Sequence, residues 1–146
     1  MRFRAFTIIE LIFVIIVLGI LAVVALPKFT GVLEQADIAN AKSKVSAIRS
    51  GLQVYKNKHV LLGKSPYPDS LDSDANHLFD QVLPTAVTPS TKRGGWKRDT
   101  SDATKYRYYL TDDKYLLFKY DKTKGTFECD SGGSTVDDAA TICDNF

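Results

Sequence analysis

The sequence predicts an α+β fold in which a long N-terminal helix packs against a small antiparallel β-sheet. Three observations carry that reading. From Leu11 to Leu26 there is no polar side chain. Ile38, Val45, Ile48, Leu52 and Tyr55 then recur at steps of seven, three, four and three, the period of an amphipathic helix. Past residue 105 the pattern changes to short alternating runs broken by turn formers, the period of strands.

The 146 residues suit one modest domain. Arg2 and Arg4 account for the whole formal charge of +2, and the rest of the chain balances 17 basic against 17 acidic side chains. Such a surface does not point to nucleic acid, whose backbone rewards a concentrated positive field.

Two arginines followed by an apolar run resemble a secretory signal peptide, but the run is too long and Leu26-Pro27-Lys28 is no small-x-small cleavage site. As a helix, residues 6–26 rise about 31 Å, close to the roughly 30 Å hydrocarbon core of a bilayer. The expectation is therefore a single-pass transmembrane helix, with Arg2 and Arg4 on the cytoplasmic side. Glu10 is the anomaly. A carboxylate at mid-bilayer costs about 2.5–3.5 kcal/mol and usually marks function; near the headgroups it costs little.

The segment Arg4-Ala5-Phe6-Thr7-Ile8-Ile9-Glu10-Leu11 resembles the processing site of type IV pilins and of the related pseudopilins of type II secretion systems. The similarity continues from Phe13 to Pro27, and the later residues match in plan alone. The resemblance implies a pilin-like architecture, with residues 1–5 a prepilin leader, 6–27 a transmembrane and filament-core helix, and 28–146 a head. It implies that a prepilin peptidase cuts between Ala5 and Phe6 and that the new amine on Phe6 is N-methylated. The family normally has glycine where this chain has Ala5, the next smallest side chain. Glu10 becomes the acid five residues from the mature N-terminus, and Pro27 the proline that kinks the long helix.

The physics of that role is coherent. A helix N-terminus carries unsatisfied amides and partial positive charge, and a freed amine adds a full charge. Glu10 of a neighbouring, staggered copy would meet both at Phe6. Such a pair sets register more than it adds affinity, because desolvation opposes the Coulomb gain. Pro27 kinks or locally melts a helix, and Gly19 permits close helix approach. Both are also tolerated breakers of membrane helices. The assembly residues are thus Phe6, Glu10, Gly19 and Pro27.

Helical character continues from Thr30 to about Lys56, with Ala36, Ala39, Ala41 and Ala47 supporting it and Glu34, Asp37, Lys42, Lys44 and Arg49 on wetter faces. From Phe6 the helix spans about 50 residues, roughly 75 Å if straight, which demands partners. Residues 63–69 are turn formers. Asp74 then caps a short helix from Ala75 to Leu83. Residues 88–103 read as a polar loop in which Trp96 either pins the loop to the head or lies exposed on a filament contact.

Tyr106–Leu110, Tyr115–Tyr120 and Thr126–Cys129 read as three strands of a meander with one face on the Ile38/Val45/Ile48/Leu52 stripe. Ser134 and Asp137 have the spacing of a capping box ahead of a helical turn over Val136–Thr141. The family's C-terminal region is disulfide-bounded, which implies a Cys129–Cys143 bond; two reactive thiols are the other reading. Some pseudopilins hold calcium in a C-terminal acidic loop. Asp130, Asp137, Asp138 and Asp144 offer oxygens without EF-hand spacing, so a solvated loop is preferred and no cofactor is expected.

His59 and His77 lie in separate elements without metal-site spacing, and no nucleophile elbow or phosphate loop occurs. The chain reads as no enzyme. The first functional reading is a type IV pilus subunit serving adhesion, motility or DNA uptake. The alternatives are a pseudopilin in protein export and a minor tip pilin whose Lys92, Arg93, Lys97 and Arg98 touch DNA or a surface. Expected partners are copies of the chain, minor pilins, the prepilin peptidase, an inner-membrane assembly platform and, before assembly, the lipid bilayer. The expected location is the bacterial inner membrane, then a surface pilus or periplasmic pseudopilus.

Overall fold

The computed structural model describes residues 7–146, the side chains of residues 24–32 excepted. Helix α1 runs over Ile8–Leu61, five residues past the expected end. It stops where Gly63 takes φ 67°, and the Lys64 amide donates back to His59 O at 2.9 Å. That is the left-handed glycine cap of a helix C-terminus. The chain divides between Ala36 and Asp37 into two compact units.

The second unit is a sheet with a helix across one face, as the alternation predicts. Strands β1 (Trp96–Arg98), β2 (Lys105–Tyr109), β3 (Tyr115–Asp121) and β4 (Thr126–Asp130) form an antiparallel meander in sequence order. Tyr106 faces Phe118 and Tyr120 faces Phe127 across the ladders. Residues 106, 108, 116, 118, 120 and 127 alternate onto the inner face and are buried. Ala41, Val45, Ile48 and Leu52 of α1 meet them, each at most 1% exposed. A helix face and a sheet face thereby share one core.

Several expectations are corrected. The meander has four strands, not three, because Trp96–Arg98 pairs with β2. Three residues are too few to show a period of two, so composition hid the strand. Trp96 is 2% exposed and packs on Phe79, Tyr108 and Phe118, so it pins the loop. Residues 75–83 form turns and a bridge between Leu78 and Val87, not a helix. Asp74 accepts from the Asn76 amide at 2.7 Å, the local turn with which Asp competes against helix. Asp72 captures the Phe79 amide at 2.7 Å and holds Phe79 at φ 62°.

A short helix, α2, spans Ala139–Cys143, three residues later than expected at its start. The capping box does not form. Ser134 Oγ instead donates to Asp130 O and accepts from the Leu117 amide, and the N-cap residue Asp138 makes no side-chain cap. Cys129 and Cys143 are bonded, with Cα atoms 5.2 Å apart. The bond ties α2 to β4 across a separation of 14 residues. A loop of that size is worth about 3 kcal/mol of chain entropy. Cys143→Ser is expected to lower unfolding stability by that order, read as the shift in denaturant midpoint against the oxidised wild type.

Candidate functional site

The first unit holds Glu10 and Gly19, two of the residues expected to act in assembly. α1 opens at Ile8, and Thr7 O accepts from the amides of Glu10 and Leu11 at 3.1 and 3.2 Å. Glu10 sits in the first turn and is exposed. Around it, Ile8, Ile9, Leu11 and Phe13 are each more than 60% exposed, and large exposed apolar side chains continue to Val23. A contiguous apolar surface of this kind marks an interaction site. A Cβ added at Gly19 would meet nothing within 4 Å, so nothing among the described residues demands glycine there. Ala5 and Phe6, and hence cleavage and methylation, lie outside the described residues. So does the side chain of Pro27, although α1 is assigned continuously through that position.

The membrane expectation is overturned. Among the described residues no helix is long and apolar enough to cross a membrane. The single-pass topology, the inner-membrane location and the bilayer as partner fall with this finding.

The tip-binding patch is also dispersed. Arg93 binds Asp37 and Arg98 binds the buried Asp72, leaving Lys92 and Lys97 as the two cations of the patch outside an ion pair among the described residues. In the C-terminal loop Asp130 caps the turn at Ser131–Gly133 and Asp137 pairs with Lys114 at 2.8 Å. Among the described residues no group of three or more His, Cys, Asp or Glu is placed to hold a metal ion.

Sequence reading missed the polar framework of the second unit. Asp72 is fully buried at its side chain and accepts from the Phe79 amide at 2.7 Å, Tyr106 Oη at 2.9 Å and Arg98 at 3.3 Å. Burial pushes its carboxyl above the usual range, outweighing those donors, and likewise raises the Tyr106 phenol. Asp99 goes the other way, to about 2, because the Ser101 hydroxyl and amide and the Arg107 guanidinium hold the carboxylate. Arg49, expected on a wet face, donates through Nε to Phe127 O at 2.9 Å and through Nη1 to Phe146 O. Tyr108 Oη donates to Asp37 O at 2.9 Å, and burial lifts its phenol to about 12. Gly51 lets the Val82 carbonyl against α1; an added Cβ would lie 2.1 Å from that oxygen.

A long helix with an acid in its first turn and a stripe buried under an antiparallel meander defines a pilin-like α+β protein. No family model matches the chain, and no solved structure matches it. Type II secretion system core protein G of Vibrio cholerae is 32% identical over 119 residues, covering 75% of this chain and 72% of that protein. The core protein G of Escherichia coli is 29% identical over 109 residues with the same coverage. The type IV narrow pilus major component PilA5 of Thermus thermophilus is 41% identical over 54 residues, 37% of this chain. The chain spans 47% of that relative's length. The chain belongs to the family that unites type IV pilins with the pseudopilins of type II secretion.

Proposed function

We propose that the chain is a pseudopilin of a type II secretion system, which assembles with copies of itself to drive protein export. The observation that carries this reading is the reach of the similarity to core protein G, which extends over three quarters of the chain. The similarity to the narrow pilus component is confined to 54 residues. The surface-pilus reading therefore stands second.

In this proposal the prepilin peptidase cuts between Ala5 and Phe6, Phe6 is methylated, and residues 6–27 form the filament core. The exposed apolar face from Ile8 to Val23 is then covered by other copies of the same segment. Glu10 supplies the carboxylate that meets a neighbour's Phe6 amine. The assembly machinery and minor subunits are the remaining partners.

The test is genetic and chemical together. Deleting the chain is expected to abolish export of the secreted proteins and to leave surface pili untouched. Mass spectrometry of sheared or periplasmic fibres is expected to find a chain beginning at methylated Phe6. Glu10→Ala is expected to keep the protein at normal abundance while lowering fibre yield at least tenfold, scored by electron microscopy. Loss of surface pili with intact export would overturn the reading.

A further inference from the structure

A groove lies between the last turns of α1 and the segment 80–82, with a volume of about 390 Å³. That falls within the roughly 300–1,000 Å³ of small-ligand sites. Its two walls are locked together. The Val82 carbonyl lies against Gly51 of α1, and the Val82 and Leu83 amides donate to Phe79 O at 3.1 and 2.8 Å. The Gln81 amide donates to Leu71 O at 3.2 Å and holds the turn from its other side. The groove is therefore formed before any ligand arrives.

Four side chains bring unused hydrogen-bonding capacity to it: Lys58, His59, Asp80 and Gln81. His59 stacks flat on Tyr55 with ring centroids 3.7 Å apart, and its Nδ1 donates to Tyr55 O at 2.9 Å. A carbonyl can only accept, so Nδ1 carries the proton and the neutral ring keeps Nε2 as a bare acceptor. Asp80 is fixed by Ser73, whose amide donates to Oδ1 at 2.7 Å and whose hydroxyl donates to Oδ2. Further lone pairs remain on both oxygens. Lys58 makes no ion pair and the Gln81 side chain no hydrogen bond among the described residues. Both supply donors, and Gln81 an acceptor as well. Val54 and Tyr55 complete the lining with apolar surface.

We propose that this groove is a binding site for a neutral sugar. The one cation and one anion of its lining, Lys58 and Asp80, cancel, so no net field selects a phosphate or a polyanion. An apolar ligand would strip water from four polar groups and return no hydrogen bond. A sugar hydroxyl donates and accepts through the same oxygen, which suits donors and acceptors set side by side. Neighbouring hydroxyls of one pyranose give their protons to His59 Nε2 and Asp80 and accept from Lys58 and Gln81. The carbon-bound hydrogens of the ring face lie on Val54 and Tyr55, whose aromatic face is the negative side of its quadrupole. The pyranose ring is the chemistry recognised; an N-acetylated glycan and a plain glucan both present it. The site goes beyond the assembly reading and stands whether or not the chain forms a filament.

The experiment titrates the full chain, held in a detergent without a sugar headgroup, with chitotriose and with maltotriose, read by saturation-transfer NMR. Saturable binding of at least one is expected, with a dissociation constant of about 1 mM or tighter. Which of the two binds separates an N-acetylated glycan from a plain one. Lys58→Ala and Gln81→Ala are each expected to weaken binding about fivefold, the loss of roughly one hydrogen bond, with the unfolding midpoint unchanged. His59→Phe keeps a ring on Tyr55 but removes Nε2, and is expected to weaken binding likewise. Lys124→Ala, in the β3–β4 turn, is the control and should bind as wild type. No saturable binding of either sugar would overturn the site, as would binding that all three groove variants leave untouched. Lys58-dependent binding of inorganic phosphate without binding of sugar would make the groove an anion site and overturn it too.

Discussion

Asp72→Ala is expected to destabilise the second unit by about 3–5 kcal/mol, the cost of leaving buried partners without their charge. The carboxylate is fully buried and receives three donors: the Phe79 amide, Tyr106 Oη and Arg98. Alanine strands the first two in the core, and each unpaired buried donor costs about 1–3 kcal/mol. It also releases the Phe79 amide, one of the bonds that hold Phe79 at φ 62°, a backbone region that costs a side chain about 1–2 kcal/mol. Phe79 then loses its reason to stay between Trp96 and Tyr106. The measurement is the midpoint of urea unfolding. Asp72→Asn keeps an acceptor and is expected to lose less. Adding Tyr106→Phe to Asp72→Ala is expected to cost less than the sum of the singles, because the stranded hydroxyl is removed. Additive losses would show that the two side chains do not share a bond.

The same carboxyl sets a pH dependence with a definite sign. Its folded pKa lies above the ordinary value because burial disfavours the charge. In the window between the two values the folded state holds a proton that the unfolded state has released. Stability from this group therefore falls as pH rises through that window. Asp99, held at about 2, contributes in the opposite direction and loses its share as pH falls from about 4 toward 2.

Long-range periodicity was legible in the sequence, and individual tertiary partners were not. Ile38, Val45, Ile48, Leu52 and Tyr55 announced the buried helix face because burial on a helix repeats every three or four residues. The alternation of 106 to 120 announced strands for the parallel reason. The 75–83 segment failed because its apolar residues fit a helix while Asp72 and Asp74 offered the backbone other partners. Asp72 itself gave no signal in the sequence, because its role depends on residues up to 34 positions away. Gly51 gave no signal in the sequence, and the approach of the Val82 carbonyl explains it. The family resemblance around Glu10 was the most legible feature, since a carboxylate in an apolar run is a local anomaly. The membrane reading drew on the whole segment 6–26, and among the described residues no helix is long and apolar enough to cross a membrane.

Phe127→Ala is expected to cost about 3–5 kcal/mol, toward the upper end of that range. Phe127 is fully buried at the centre of an aromatic cluster. Its ring lies 5.5 Å from Phe118, 5.7 Å from Tyr106, 5.8 Å from Phe79 and 6.3 Å from Trp96. How far such a cavity collapses sets the cost, and these neighbours have little freedom to collapse. Trp96 and Tyr106 are fixed in the sheet by pairing, and Tyr106 is also tied to Asp72. Each lost ring pair adds about 0.5–1.5 kcal/mol beyond area burial. Backbone register should survive, because the Tyr120–Phe127 pairing and the bond from Arg49 to Phe127 O use the main chain. The expected signature is a lower midpoint with weakened near-ultraviolet aromatic dichroism and unchanged far-ultraviolet dichroism. Lys119→Ala, one ladder step away on the exposed face, is the control and should stay within about 0.5 kcal/mol of wild type. A Phe127→Ala loss as small as the control's would mean that the surrounding rings repack freely, and that the core of this unit is not the rigid aromatic cluster its geometry describes.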